Sequence, residues 1–507
     1  MDSQATALEA GPVALPRRGV EARVSGWLTA VPAYPLLFAL SFVVSLFVES
    51  WAGPTALVRP LLVVVVGTGA LQVGLTALAR DRHKGAFFAA AVLLALFVPI
   101  GALALAGAAV VLLAYGSVRA RRLTALPWPA FTRLLNVMAV VLIVIVSGSA
   151  AAAGAFAVSS PSGPTGRAAA DAPDIYLLLL DAYPRSDTLA EDFGYDNGPF
   201  VAAMERLGFD LAPGSHSNYP MTALTLASML NYAHIRDLVP DPPSSPAAQY
   251  RRIGEVLNDG AALRESRRLG YEVVSIPSQV SEVGLHSADR YLDSGEMTVF
   301  ESTLLEQGLV PRLVPEAQAE WLASQDRSRI VATFHRLAAL AEEPSPSPRL
   351  VLAHVMAPHP PIVFASDGAP IVGCSESCSI KDEGNGPGGG GIAAATAGQV
   401  NHVNDLVLET VGRIVEANAR PAVIVVFSDH GYRLDPTDKE EVISNLFLAR
   451  SPGKPGLFPD DTTLINVFPR ILNAYAGTNL PLASEESYWT DLRTTGTVGI
   501  FNLERVR

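Results

Sequence analysis

The chain has 507 residues, 49% of them hydrophobic, and a mean hydropathy of +0.29. That is too apolar for an ordinary soluble protein of this length, and the length allows two to four domains. The net charge of −12 is split: residues 1–171 hold 12 Lys and Arg against 6 Asp and Glu and so carry +6, which leaves −18 on the remainder. So acidic a C-terminal part argues against nucleic acid as a partner.

Apolar stretches come first along the chain, at about 31–50, 55–79, 85–117 and 134–157. A spanning helix needs about 20 apolar residues. The third stretch is too long for one ordinary helix, and Val98-Pro99-Ile100-Gly101 near its middle can form a tight turn. Basic clusters at Arg17, Arg18 and Arg23, at Arg80, Arg82 and Lys84, and at Arg119, Arg121 and Arg122 decide the count. Five helices put all three clusters in the cytoplasm, as the positive-inside rule asks. The expectation is a transmembrane domain over 1–157, a linker over 158–173 and an extracytoplasmic domain over 174–507. That makes a multi-pass protein of the inner or plasma membrane. A single kinked helix over 85–117 is the alternative.

The linker is small, polar and Pro/Gly-bearing, SSPSGPTGRAAADAPD. Further on, Cys374 and Cys378 form either a small disulfide or two free thiols, since two thiols alone make a poor metal site. The Gly-rich run Gly384 to Gly391 lacks the Lys-Ser/Thr ending of a P-loop and is a surface loop.

In the C-terminal part, continuous apolar runs at Ile175–Leu180, Tyr271–Ile276, Leu350–Met356 and Ala422–Phe427 alternate with helical patterns at about 197–207, 222–232, 249–268, 327–342, 397–417 and 467–476. Such alternation predicts an α/β domain with a mostly parallel sheet covered by helices on both faces. Ligands of such sheets bind beyond the carboxyl ends of the strands. That rule selects Asp181, His359, Asp429 and His430. Asp181 ends DIYLLLLD, and Asp429-His430 ends VIVVFSDHG, an adjacent oxygen and nitrogen donor pair at one strand end. In SHSNYPMTALTLASMLNY a turn leads into a helix at Thr222. A hydroxyl at a helix N-terminus meets the positive end of the dipole and free backbone N–H groups, which suits an alkoxide and a phosphate. Thr222 can equally be a helix cap. Thr225, the rival nucleophile, sits one turn in and tends to bond back to a carbonyl.

In order along the chain, LLLLDAYPRSD, SNYPMTALTLASMLN, LAHVMAPHPPIVF, GQVNHVNDLV and VFSDHG resemble the alkaline phosphatase and sulfatase superfamily. Its membrane-anchored lipoteichoic acid synthase-like and phosphoethanolamine transferase-like members, often labelled sulfatases, are the nearest in pattern. The resemblance implies that Asp181, Asp429 and His430 hold one divalent metal ion, Zn²⁺ or Mn²⁺ first and Mg²⁺ as a third choice. It implies that Thr222 also touches the ion and is the nucleophile of a phospho-Thr intermediate, and that His359 contacts the substrate phosphate or leaving group. Arg185 and His216 are further substrate-contact candidates. His354, in a buried strand, is expected to belong to the core, and His402 to face either site or solvent.

The chain departs from the family pattern in three places. Thr222 is followed by Ala223-Leu224-Thr225, where sulfatases have Pro and Arg after a formylglycine precursor. Asp181 is followed by Ala182 rather than a second acid, and no His lies beyond His430. One metal is therefore expected. The implied activity is transfer of a phosphorylated head group from a phospholipid donor to an envelope glycan or lipid acceptor. Phosphoester or sulfoester hydrolysis, and a non-catalytic membrane sensor, are the alternatives.

Overall fold

A computed structural model describes residues 26–49, 54–97, 127–152, 163–371 and 390–507, less 170, 279, 281, 282, 296, 307–314, 418, 419, 434–437, 492–494 and 496–498. The Val98–Gly101 turn, the first and third basic clusters, Cys374, Cys378 and most of the Gly-rich run lie outside these residues. The chain divides into two compact units, one built on the N-terminal helices and one that holds residues 163–302 and 315–507.

The described N-terminal helices are α1 (Tyr34–Glu49), α2 (Val58–Ala79), α3 (Arg82–Phe97) and α4 (Trp128–Ala152). Among the described residues, two helices are long and apolar enough to cross a membrane, Val58–Ala79 and Trp128–Ala151. Their apolar windows are only 6% and 17% buried, with Val66 and Val144 more than 60% exposed. A core helix of a soluble protein hides such a surface. Left-handed Arg80 ends α2, and α3 follows at Arg82, so the cluster Arg80, Arg82 and Lys84 occupies one tight turn and its first helical residues. Asn136, fully buried in α4, accepts from the Ala33 and Tyr34 amides and donates to the Leu28 and Val31 carbonyls. One amide side chain thereby satisfies four backbone groups at the start of α1, groups that would each be costly to leave unpaired in an apolar setting.

The second unit is built on a seven-stranded sheet. Its strands are β1 (Asp174–Leu180), β2 (Asp210–Leu211), β3 (Glu272–Ile276), β4 (Arg290–Tyr291), β5 (Arg349–Val355), β6 (Ala422–Phe427) and β7 (Phe447–Arg450), in the spatial order β2-β7-β6-β1-β5-β3-β4. Five strands run parallel, and β7 and β2 close one edge antiparallel. The four long apolar runs of the sequence are the four central strands. The antiparallel edge comes from shorter runs that the sequence pattern does not single out.

Alternation along β1 separates two cores. Ile175, Leu177 and Leu179 pack with Leu224, Leu226 and Met229 of α5 (Thr222–Asn231). Tyr176, Leu178 and Leu180 pack with residues of α6 (Pro315–Glu342) and α7 (Gly390–Glu416) on the other face. On α7, Val400, Val403, Val407, Val411 and Ile414 recur at helical spacing and are at most 1% exposed. Each such buried side chain stabilises the fold by about 1.5–3 kcal/mol before entropy is charged. The single helix expected over 249–268 is two, Pro246–Asn258 and Ala261–Arg268. The break falls at Gly260, where a Cβ would lie 3.1 Å from the Leu230 Cβ and 3.2 Å from the Leu257 carbonyl.

Candidate active site

Parallel register puts the site together. Leu180 of β1 lies opposite Val355 of β5, and Leu179 lies opposite both His354 and Phe427 of β6. Three strands therefore end at one level, and the residues just beyond them share one edge. Parity then selects a face. The odd-numbered residues 175, 177 and 179 of β1, and 423, 425 and 427 of β6, face α5. Continued past the strand ends, the same alternation aims Asp181 and Asp429 toward the N-terminus of that helix, where Thr222 sits.

The structure brings Asp181, Asp429 and His430 together, with one donor atom of each within 4.8 Å of the others. All three are at most 1% exposed. Asp181 Oδ1 and Asp429 Oδ2 are buried without a hydrogen-bond partner. His430 Nε2 lies 3.8 Å from the first and 3.3 Å from the second. The remaining carboxylate oxygens are tied down. Asp181 Oδ2 lies 2.8 Å from His354 Nε2. Asp429 Oδ1 accepts the Ala182 amide at 3.2 Å, and the Thr222 side chain is near enough to hold the Asp429 pKa down. Ala182 is left-handed at φ 56°, a conformation that costs a non-glycine residue about 1 kcal/mol or more. It turns the chain sharply behind Asp181 and delivers its N–H to Asp429.

The electrostatics follow from burial and crowding. Burial, then the Asp181 charge, push the Asp429 carboxyl up to about 6, with the Thr222 hydrogen bond working the other way. Burial raises Asp181 too, but His359 and the hydrogen bond with His354 more than offset it and hold it below the usual carboxylate range. Of the pair, Asp429 is the one that takes up a proton first, as pH falls below about 6. Burial, then Arg433, push the His430 imidazole down to about 3, so it is neutral. Its Nδ1 lies 2.7 Å from the Gly431 carbonyl, which can only accept, so the lone pair is on Nε2, facing the two carboxylates. Gly431 is required at this turn, because a Cβ there would collide with the backbone carbonyls of Glu441 and Ser444.

Thr222 is the first residue of α5 and half-buried; Met221 is the N-cap and makes no side-chain cap bond. The Thr222 side chain lies beside Asp429, whose pKa it lowers. Thr225 is buried, and its hydroxyl donates back to the Tyr219 carbonyl at 3.0 Å. His359 is buried beside the group: its amide donates to the Asp181 carbonyl at 3.0 Å, its Nδ1 lies 2.6 Å from the Pro360 carbonyl, and burial lowers its pKa.

Other candidates are placed elsewhere. Arg185 closes a fork on Asp187, at 2.8 and 2.7 Å, and donates to the Ser215 carbonyl. His216 pairs with Ser444 in an isolated bridge, with Nδ1 3.3 Å from the Gly214 carbonyl. Its described contacts include none with Asp181, Asp429, His430 or Thr222. The His402 ring packs on Phe364 at 4.7 Å.

Two residues that the sequence did not select belong to the site. His354, expected in the core, holds Asp181. Its signal is a lone imidazole in the otherwise apolar run LVLAHV, on the strand next to the one Asp181 ends. Arg433 places Nη2 2.9 Å from His430 Nε2, and no sequence signal fixes the direction of its guanidinium.

No family model matches the chain, and no curated protein matches it. Among solved structures the chain is similar to a 2-O GAG sulfatase, BT1596, at 14% identity and TM-score 0.42, over 65% of this chain and 74% of that one. It is similar to the C-terminal periplasmic domain of EcEptC from Escherichia coli, at 13% identity and TM-score 0.38, over 65% and 96%. It is also similar to the integral membrane lipooligosaccharide phosphoethanolamine transferase A of Neisseria meningitidis, at 12% identity and TM-score 0.40, over 70% and 69%. Sulfatases and phosphoethanolamine transferases are among the groups the sequence resembles. Superpositions this loose say nothing of this chain's chemistry, for which its own residues must answer.

Proposed function

We propose that this chain is a membrane-anchored, metal-dependent transferase that moves a phosphorylated head group from a lipid donor to an envelope glycan or lipid acceptor through phospho-Thr222. The observation that carries the reading is the joint placement of Thr222 and the Asp181–Asp429–His430 group. Two buried carboxylate oxygens without partners converge beside an imidazole nitrogen, which is costly unless a cation shares them. The Thr222 side chain lies beside the same group. The donor set suits Zn²⁺ or Mn²⁺, with Mg²⁺ also compatible. A divalent ion held there supplies charge that lowers the pKa of the Thr222 hydroxyl and neutralises developing negative charge.

The protein's own residues account for the rest. Thr222 Oγ attacks the lipid phosphorus and passes its proton to water. The bond from phosphorus to the diacylglycerol oxygen breaks, and that oxygen leaves with the electron pair and takes a proton back from water, with His359 as its contact. An acceptor hydroxyl then attacks the same phosphorus, the bond to Thr222 Oγ breaks, and the acceptor's proton goes to Oγ, which restores the threonine. The first-turn amides of α5 stand beside the phosphoryl oxygens. The test uses the full chain in lipid vesicles with a head-group-labelled glycerophospholipid. Expected are diacylglycerol and label bound covalently to Thr222. Release of free label would indicate hydrolysis, and neither product would leave only a binding role.

Metal binding in this reading requires Asp429 to be ionised. Its folded pKa of about 6 sets the window, since His430 stays neutral down to about 3. Apparent Zn²⁺ affinity should be flat above about pH 6 with respect to this group. Between pH 6 and pH 4 it should fall about tenfold per unit, because one proton must leave for each ion bound. Chelator competition at pH 5 and pH 7 measures this, and equal affinities would exclude Asp429 as a ligand.

The membrane placement belongs to the same proposal: five spans, N-terminus inside and the catalytic domain outside, where a lipid donor and the enzyme share one surface. The exposed apolar flanks of α2 and α4 and the basic turn between α2 and α3 support it. A reporter that works only in the cytoplasm, fused after Arg507, should be silent. An active reporter would rule out the outside placement.

A further inference from the structure

Arg433 has a position that metal binding alone does not explain. Its Nη2 donates to the Pro220 carbonyl at 2.7 Å, two residues before Thr222, and lies 2.9 Å from His430 Nε2. Because Nδ1 of that ring is committed to Gly431, Nε2 carries the lone pair, and Arg433 donates into it. Arg433 Nε is buried with no partner. A guanidinium has five donors in a fixed fork, and leaving a buried one unpaired is costly.

One lone pair cannot serve an N–H and a cation together. When an ion takes the Nε2 lone pair, Arg433 must leave it, still tethered beside Thr222 through Pro220. That frees the Nη2 edge next to the already unpaired Nε, a planar pair of donors that matches two oxygens of a phosphoryl group. The charges agree. Two ligand carboxylates cancel a divalent ion, so the loaded site has no net attraction for an anionic phosphoryl group unless a further cation stands by. Among the described residues Arg433 is the cation in contact with this group, whereas the fork of Arg185 is taken by Asp187.

We propose that Arg433 clamps the non-bridging oxygens of the transferred phosphoryl group. This rests on the phosphoryl-transfer reading above and adds to it the residue that recognises the anion.

The test compares wild type, Arg433→Met and Arg433→Lys as full chains, each loaded with one equivalent of Zn²⁺. Zn²⁺ affinity is read by chelator competition, and binding of orthophosphate and of the diester glycerophosphoethanolamine by calorimetry. Arg433→Met should bind Zn²⁺ as tightly as wild type or more so. It should bind the anion about tenfold or more weakly, the scale of one lost charged hydrogen-bonded contact. Arg433→Lys keeps the charge without the fork and should fall between. A loss confined to the diester would place the clamp on the lipid donor, and one confined to orthophosphate on the free phosphate. Anion affinities within twofold of wild type in both variants would overturn the clamp, and a tenfold fall in Zn²⁺ affinity would make Arg433 a support of the metal group and overturn it too. If loaded wild type bound neither anion, the phosphoryl reading would fail and the clamp with it.

Discussion

Thr222→Ala should reduce turnover in the labelled-lipid assay by at least about 10²-fold, the scale seen when a charge-stabilising element of a site is removed. Zn²⁺ binding should be nearly unchanged. A free threonine hydroxyl is a weak nucleophile near neutral pH and needs an activating neighbour. Thr222 has one beside it in Asp429, and it opens α5 without serving as the cap, which is Met221. The substitution removes the nucleophile and leaves Asp181, Asp429 and His430 in place. Thr225→Ala supplies the contrast. Its hydroxyl is buried on the Tyr219 carbonyl, so its loss should cost stability, about 1–3 kcal/mol for the unsatisfied acceptor, while the folded fraction turns over near normally. Intact-mass measurement of a trapped adduct gives a second readout, with the mass gain present in Thr225→Ala and absent in Thr222→Ala. The reverse pattern would move the nucleophile by one helical turn. Activity in both variants would end the covalent mechanism.

The parts of this site that were legible in sequence are those tied to strand ends. Continuous apolar runs such as IYLLLL and AVIVVF are buried on both faces, so the first polar residue after each must lie at a sheet edge, and parallel order puts those edges together. Asp181, Asp429 and His430 follow from that. Thr222 followed from a turn leading into a helix. Arg185 has its fork on Asp187, a local pairing two residues away that the sequence reading did not weigh. His354 was hidden by its strand: parity made it a core residue, and only the register to Leu179 reveals that it sits beside a carboxylate one step further on. Arg433 depends on a side-chain direction in a turn, which no periodicity encodes. In the N-terminal part, apolar length predicted helices well. The break within 85–117 falls outside the described residues, and α4 begins earlier than expected, at Trp128, because Pro127 and Pro129 flank its start, where proline is tolerated.

Asp429→Asn should make the metal-free protein more stable and the metal-loaded protein less so, a sign reversal that a purely structural carboxylate would not produce. Asp429 has a folded pKa of about 6 against an ordinary 3.8. The sign follows from linkage: a carboxyl raised in the folded state favours folding while protonated, below about pH 4, and that contribution is lost as pH rises through about 6. At pH 7 the ionised Asp429 therefore burdens the metal-free fold by on the order of 3 kcal/mol, the cost of a shift of about two pKa units. An asparagine keeps an oxygen to accept from Ala182. Its amide nitrogen, in place of Oδ2, can donate toward Asp181 Oδ1, so both orphaned atoms are relieved. The expected gain is about 1–3 kcal/mol, a Tm rise of a few degrees for a unit of this size. The amide is neutral and a poor ligand. Loss of even an outer-shell partner costs about 10–100-fold in metal affinity, so a direct ligand should cost more, and Zn²⁺ should then raise Tm little or not at all. Wild type should show the opposite pair of results: a lower metal-free Tm that falls further from pH 4 to pH 6, and a large rise on adding Zn²⁺. Thermal scans of the two proteins with and without Zn²⁺ decide the matter. An Asp429→Asn protein that is less stable without metal and equally stabilised with it would show that Asp429 holds the turn rather than an ion.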